Sequence, residues 1–262
     1  MSELIVTRRR LLGLGAAGAS GLALAGCDAF DSLGERGGDA RSLLELANDV
    51  TYRVQRLLQG RDALAPEYAE SEIRQGQRPN GSTDPRSPDY LALEANGFAD
   101  YRLTVTGLVE RPRGYSLAEL RAMPARTQVT RHDCVEGWSC IAKWTGTPLS
   151  LVLDEVKPEP AARYLVFRCF DSLDEEPGGS RYYESCDLLD ARHPQTILAY
   201  GLNGQPLPVA NGAPVRVRIE RALGYKQPKY VHTIEAVDGL ARFGLGKGGY
   251  WEDQGYDWYG GI

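Results

Sequence analysis

Arg131-His132-Asp133-Cys134-Val135-Glu136-Gly137-Trp138-Ser139-Cys140 is the densest run of chemistry-bearing side chains in the chain. By itself, Cys134 admits several readings. It is a small buried hydrophobe, half of a disulfide, a metal ligand or a nucleophile. Zinc fits weakly, because Cys134 and Cys140 lack the close cysteine pairs of structural sites and the chain holds three histidines. A thiol nucleophile needs a base within reach, and His132 or His193 could serve. Nothing in the spacing demands it.

Outward from this block, the pattern mixes strands and short helices. Residues 101–109 alternate with period two, as a half-buried strand does. Ser116 followed by Glu119 is a capping-box start for a short helix. Residues 149–156 read as a helix, and strands are expected over 163–168 and near 196–200, 214–220 and 231–237, separated by turns such as Asn203-Gly204. Upstream, apolar residues recur at helical spacing over 41–58. Residues 76–89, with Gly, Asn, Ser, Asp and three prolines, read as a long loop. There is no βαβ alternation and no internal repeat, so the fold class is α+β.

The ends bound the compartment. Thr7-Arg8-Arg9-Arg10-Leu11-Leu12 precedes an apolar Gly/Ala-rich run that closes on Leu24-Ala25-Gly26-Cys27. An arginine pair, a short apolar segment and small residues before a cysteine predict a twin-arginine signal over 1–26 with a lipoprotein cleavage site at Cys27. Residues 27–40 read as a flexible tether and 41–262 as one domain. The alternative is an uncleaved anchor helix. A formal charge of −5 gives no support for nucleic-acid binding. Four cysteines then remain, Cys134, Cys140, Cys169 and Cys186, an even count compatible with two disulfides in an oxidising compartment.

His132–Ser139, with Trp144-Thr145-Gly146-Thr147-Pro148-Leu149 after it, resembles the core of the sulfite-oxidase-like molybdopterin oxidoreductases. Within them it is most similar to the branch of the periplasmic protein-methionine-sulfoxide reductase catalytic subunit. The likeness continues through His193-Pro194-Gln195-Thr196, Asn203 to Pro208, Asn211 to Arg216 and Gly224 to Tyr230. It implies a sulfite-oxidase-type molybdopterin-binding domain of mixed sheets and short helices, carrying one molybdenum–molybdopterin per chain. Cys134 occupies the place of the thiolate that ligates the metal, where a soft sulfur suits a redox-active ion. Arg216 and Lys229 would hold the pterin phosphate, unless they are ordinary solvated charges. Asn211 and the Gln227-Pro228 backbone match pterin contacts. So does Asn80, at a shifted spacing. Cys169 stands where the similar reductase has a pterin-contacting Thr, and a thiol is a poorer hydrogen-bonding group than a hydroxyl.

Substrate-side positions depart from sulfite oxidases. Their arginine before the loop Asn is Pro79 here, with Arg78 one residue earlier. The tail 248–262 holds five aromatic rings, of which Trp251 and Tyr256 look like the pair lining the substrate pocket in the similar enzymes. Tyr256 could then give or take a proton. The plain alternative is an aromatic plug. Glu252 and Asp253 are expected at the pocket mouth, repelling anions. The chain also ends before a β-sandwich dimerisation domain, so a monomer is expected. With no Cys-x-x-Cys-His haem motif, electrons are expected from a separate partner, by analogy a membrane b-type cytochrome. Together these imply reduction of a neutral S-oxide or N-oxide at a membrane-tethered, periplasmic enzyme. The rival readings are oxidation of sulfite or a related sulfur compound, and a non-catalytic surface lipoprotein that has lost its metal.

Overall fold

The computed structural model describes residues 50–57, 60, 62–173 and 180–262. The leader, Cys27, the tether and most of the helix anticipated over 41–58 lie outside them. Residues 50–57 are helical and form part of a separate compact unit ending at Leu57. Among the described residues no helix is long and apolar enough to cross a membrane.

The rest of the described chain builds two sheets, as an α+β reading requires. One has the order β2-β1-β10-β5-β6, from β1 (Arg102–Gly107), β2 (Arg113–Ser116), β5 (Tyr164–Ser172), β6 (Arg181–Asp187) and β10 (Val231–Val237). The other runs β3-β4-β7-β8, from β3 (Arg126–Cys134), β4 (Trp138–Pro148), β7 (Ile197–Leu202) and β8 (Gln205–Pro206), with β9 (Arg216–Arg218) also on β7. β1 and β10 are parallel, with Val105 opposite Ile234. The other ladders are antiparallel.

Five short α-helices punctuate the described strands: α1 (Pro88–Ala95), α2 (Leu117–Ala122), α3 (Leu149–Val156), α4 (Leu188–Ala191) and α5 (Tyr250–Asp253). α2 starts on the anticipated capping box: Ser116 Oγ accepts from Glu119 N–H at 3.1 Å and Glu119 Oε2 accepts from Ser116 N–H at 2.8 Å. α1 begins inside the stretch read as loop. Pro88 is its first residue, where the missing N–H costs nothing and the fixed φ favours the helix.

The main core lies between Leu103 and Val105 of β1, Leu165 and Phe167 of β5, Ile234 and Ala236 of β10, and the apolar face of α3. Val215, Val217 and Ile219 close it from the second sheet. The intervening Arg216 and Arg218 therefore point to that sheet's other face, where Trp144 packs with Ala142 and Ala199. This alternation, apolar residues one way and arginines the other, positions the candidate site.

Candidate functional site

Cys134 is the last residue of β3. Its register partner is Trp138 at the start of β4. The connection turns on Gly137, at φ +82°, whose N–H donates to Cys134 O at 3.0 Å. The thiol is half-buried. Burial pushes its pKa up; the backbone N–H of Glu136 pulls the other way, while the Glu136 carboxylate raises it further. A bound cation would reverse that balance and hold the sulfur as thiolate. Among the described residues no three His, Cys, Asp or Glu side chains gather as a cation site, so Cys134 is a single sulfur donor.

Cys134 opens on a cavity of about 120 Å³ also lined by Asn80, Asp171, Gln227, Pro228, Lys229, Tyr225, Trp251 and Tyr256. A larger cleft of about 520 Å³ includes Arg168, Glu235 and Arg242. Its charges are paired, Glu235 with both Arg168 and Arg242 and Arg181 with Asp89, and Cys169 is its one member of the candidate set. The smaller cavity gathers most of the candidate residues.

Two cations serve it, Lys229 in its lining and Arg216 behind. Arg216 is 1% exposed and has no carboxylate within ion-pair distance among the described residues. Its guanidinium donates to Asn211 O at 3.0 Å, to Gln227 O at 3.2 Å and to Asn80 Oδ1 at 3.4 Å, while Nε has no partner. Burial, and then Arg218, lower its pKa to about 9. Lys229 is likewise buried and donates to carbonyls only, Ala210 O at 2.9 Å and Ser82 O. Burial, and next Arg216, bring it down to about 7. Asp171 pulls against that shift. Its own carboxyl is pushed up to about 6 by burial, with Ser82 Oγ donating to Oδ2 at 2.5 Å and Oδ1 unpartnered. The solvated-charge alternative for Arg216 and Lys229 is therefore overturned. Gly212, at φ +113°, packs both against one backbone: an added Cβ would come within 3.0 Å of Lys229 and 3.1 Å of Arg216.

Beside them, Arg218 and Glu220 form a fully buried ion pair at 2.7 Å. Arg218 also lies 4.3 Å over the Trp144 ring and donates to His132 Nδ1 at 2.8 Å. Burial and then Arg218 hold the His132 pKa well below the usual histidine range. His132 is thus a neutral ring tied to a cation. His193 bonds to Ala63 O and Gln195 N. Neither ring hydrogen-bonds Cys134, so no thiol–imidazole pair is assembled. All four described cysteines are free thiols, so none of the pairings that an even count allows is formed among them.

The far wall is aromatic. Trp251 and Tyr256 stack with centroids 5.2 Å apart, and Tyr225 meets Tyr256 edge-on at 5.3 Å. Glu252 and Asp253 do not guard the mouth. Glu252 turns inward and is buried against Lys226, and Asp253 accepts from Tyr183 Oη at 2.5 Å and from Leu245 N–H at 3.0 Å. A four-residue helix sends successive side chains in different directions, so Trp251 and Glu252 cannot both face the cavity. Arg78 is paired with Glu136 at 3.5 Å and lies 4.9 Å over the Trp138 ring.

Of the residues expected from sequence, Cys134, Asn80, Gln227, Pro228, Lys229, Trp251 and Tyr256 line one cavity, with Arg216 and Asn211 bonded behind it. Cys169 is not among them. It sits in the main core, where burial pushes its thiol up. Sequence reasoning missed Asp171, Ser82, Tyr225 and the Arg218–Glu220 pair. Only the last left a signal, since Arg-Val-Arg-Ile-Glu over 216–220 alternates charges with branched apolar residues.

The donor set fits an anionic, hydrogen-bonding metal cofactor. Among the described residues it offers one sulfur, two buried cations lacking an ion-pair partner, and unpartnered polar atoms at His132 Nε2, Arg216 Nε, Gln227 Oε1 and Asp171 Oδ1. Native interiors rarely leave so many polar atoms unsatisfied in one place.

Residues 91–241 match the family model described as the oxidoreductase molybdopterin binding domain. The chain is 41% identical over 201 residues to the protein provisionally named protein-methionine-sulfoxide reductase subunit YedZ1 of Azospira oryzae, covering 76% of this chain and 68% of that one. It is 38% identical over 145 residues to the protein-methionine-sulfoxide reductase catalytic subunit MsrP of Ralstonia nicotianae, covering 53% of this chain and 44% of that one. With the MsrP of Xanthomonas campestris the figures are 35% over 163 residues, 60% and 50%. The chain thus spans about half the length of these MsrP relatives. Among solved structures, the sulfane dehydrogenase SoxCD from Paracoccus pantotrophus aligns at 22% identity over 53% of this chain and 39% of that one, with a TM-score of 0.47.

Proposed function

The chain belongs to the family of oxidoreductase molybdopterin-binding domains, and from that premise we propose that it reduces a neutral S-oxide, or an N-oxide, by oxygen-atom transfer. The balance is R2S=O + 2 H⁺ + 2 e⁻ → R2S + H2O. Molybdenum held by its pterin supplies the Lewis acidity and two-electron capacity such a reaction needs. In this reading Cys134 is the protein's sulfur ligand. Arg216 and Lys229 bind the pterin phosphate, Arg by its planar fork and Lys as a point charge. Asn80, Asn211 and the Gln227-Pro228 backbone orient the ring system. Trp251 and Tyr225 form an apolar wall for the sulfur substituents, and Tyr256 Oη donates a hydrogen bond to the substrate oxygen.

The observation that carries this reading is the composition of the mouth. One thiol faces an aromatic wall, and the nearby arginine, Arg78, is already engaged by Glu136 and Trp138. A neutral oxide suits such a mouth better than sulfite does. The proposal extends to location: the twin-arginine motif and Cys27 support a periplasmic, lipid-tethered enzyme. Electrons then come from a separate redox protein, by analogy a membrane b-type cytochrome. Steady-state turnover of methionine sulfoxide against that of sulfite, on protein exported by its own signal, tests the reading. Methionine sulfoxide reduction exceeding sulfite oxidation is expected; robust sulfite turnover would reverse the assignment.

A further inference from the structure

Behind the aromatic wall lies a group of three buried charges. Lys226 Nζ donates to Glu184 Oε1 and to Glu252 Oε1, both at 2.5 Å, and the three side chains are 5%, 0% and 1% exposed. They come from three elements: β6, the 3-10 turn Gly224–Lys226, and α5. Each element also contributes an aromatic residue to the cavity beside Cys134. Tyr182 is two positions before Glu184 on the same strand face, Tyr225 precedes Lys226, and Trp251 precedes Glu252. The Tyr182 hydroxyl donates to Tyr225 O at 2.6 Å, a second tie between two of these elements. Gly249, at the start of α5, has no room for a Cβ between the two carboxylates.

Such an arrangement is costly as stability alone, because burying ions is offset only by close pairing. Here the pairing is also incomplete: one lysine meets two carboxylates, and Oε2 of Glu184 and Oε2 of Glu252 have no hydrogen-bond partner among the described residues. A four-residue helix without a side-chain N-cap has little hold of its own. The ion triad ties α5 to β6 beside the Tyr183–Asp253 hydrogen bond, and it is the tie that also takes in the 3-10 turn.

We propose that Glu184, Lys226 and Glu252 are positioning residues that set the aromatic substrate wall against Cys134. This rests on the reading that Trp251 and Tyr225 face the substrate. Oxide reduction then depends on the triad through substrate fit.

The test compares Glu252 variants of the exported, metal-loaded protein by kinetics and by hydrogen exchange of residues 250–256. Glu252→Ala is expected to raise KM for methionine sulfoxide about tenfold with kcat within about threefold. It should also speed local exchange about tenfold and leave molybdenum content at the wild-type level. Glu252→Gln keeps an oxygen for Lys226 and leaves a balanced Lys226–Glu184 pair, so wild-type KM and exchange are expected. Glu252→Ala with wild-type KM and exchange overturns the proposal, and so does Glu252→Gln failing as badly as Ala. Should Glu252→Ala not fold, Glu252→Asp retains the charge but withdraws it by one methylene. There a KM rise of about threefold with faster local exchange is expected, and wild-type values overturn the proposal. If the wild type reduces no oxide, the functional reading fails instead; the exchange comparison, needing no substrate, still decides whether the triad fastens the wall.

Discussion

The Arg218 guanidinium donates to His132 Nδ1 across 2.8 Å, so a cation holds a neutral imidazole two residues before Cys134. A guanidinium only donates, which makes Nδ1 the acceptor and places the ring proton on Nε2. Burial and the neighbouring arginines keep the folded pKa well below 6.5. The unfolded chain therefore binds this proton first as pH falls. His132 contributes stability that is present above about pH 6.5 and lost on acidification below it. Nitrogen-15 NMR should show His132 as the Nε2–H tautomer, untitrated from pH 8 to 6. A protonated His132 at pH 6.5 would contradict this.

Cys134→Ser should abolish molybdenum-centred turnover while leaving far-ultraviolet circular dichroism and melting temperature near wild type. The thiol is half-buried and, among the described residues, hydrogen-bonds no side chain, so exchanging sulfur for oxygen leaves packing nearly unchanged. Unchanged turnover in this variant would remove Cys134 from the ligand role.

Lys229→Met should separate stability from loading. In the cofactor-free protein Lys229 is a buried ammonium with its pKa lowered to about 7. Between about pH 7 and 10.5 the unfolded chain binds the extra proton, so this group's contribution to stability rises with pH across that window. Removing the charge at pH 7 should stabilise the cofactor-free form by roughly 1–3 kcal/mol and sharply lower pterin content. Inorganic phosphate, as a probe, should bind the cofactor-free wild type less well as pH rises through about 7. Thermal denaturation and pterin fluorescence after release check the first two expectations, and calorimetry the third.

Gly224→Ala should be destabilising by about 1–3 kcal/mol, with faster oxidation or alkylation of Cys134. An added Cβ would stand 2.6 Å from His132 Nε2, and the neighbour is a ring clamped by Arg218. Relief requires the 3-10 turn to shift, carrying Tyr225 and Gln227 with it. Urea denaturation and thiol-labelling rates measure both effects.

What could be read from the sequence followed the physics of each element. β1 was legible because Leu103 and Val105 alternate with polar residues on a half-buried surface. α2 was legible from its capping box, and α3 from its apolar face. The β3–β4 hairpin was not anticipated, although it carries Cys134. Gln128, Thr130 and His132 are buried on β3, with Val129 the one buried aliphatic residue among them, so the buried positions carry no apolar period for a pattern to detect. The site was legible where local motifs hold it, at Cys134, Asn211 to Arg216 and Gln227 to Lys229. Glu252 was misplaced because its burial is decided by a partner distant in sequence, Lys226, which no local reading supplies. Asp171 and Ser82 were missed for the same reason: their contact joins a loop to a strand 89 residues away.

The hairpin that ends on Cys134 also has a consequence for the order of assembly. Its strands pair across a three-residue connection, Val135–Gly137, so closing it requires almost no loop entropy, and such hairpins form within about 1–10 μs. Arg216, Lys229 and Trp251 reach the same cavity only through contacts of high sequence separation, which form later. The sulfur donor is thus set by local folding, and the anion cradle and aromatic wall by the slow, global step. A nascent chain would display its thiol first and its selectivity last.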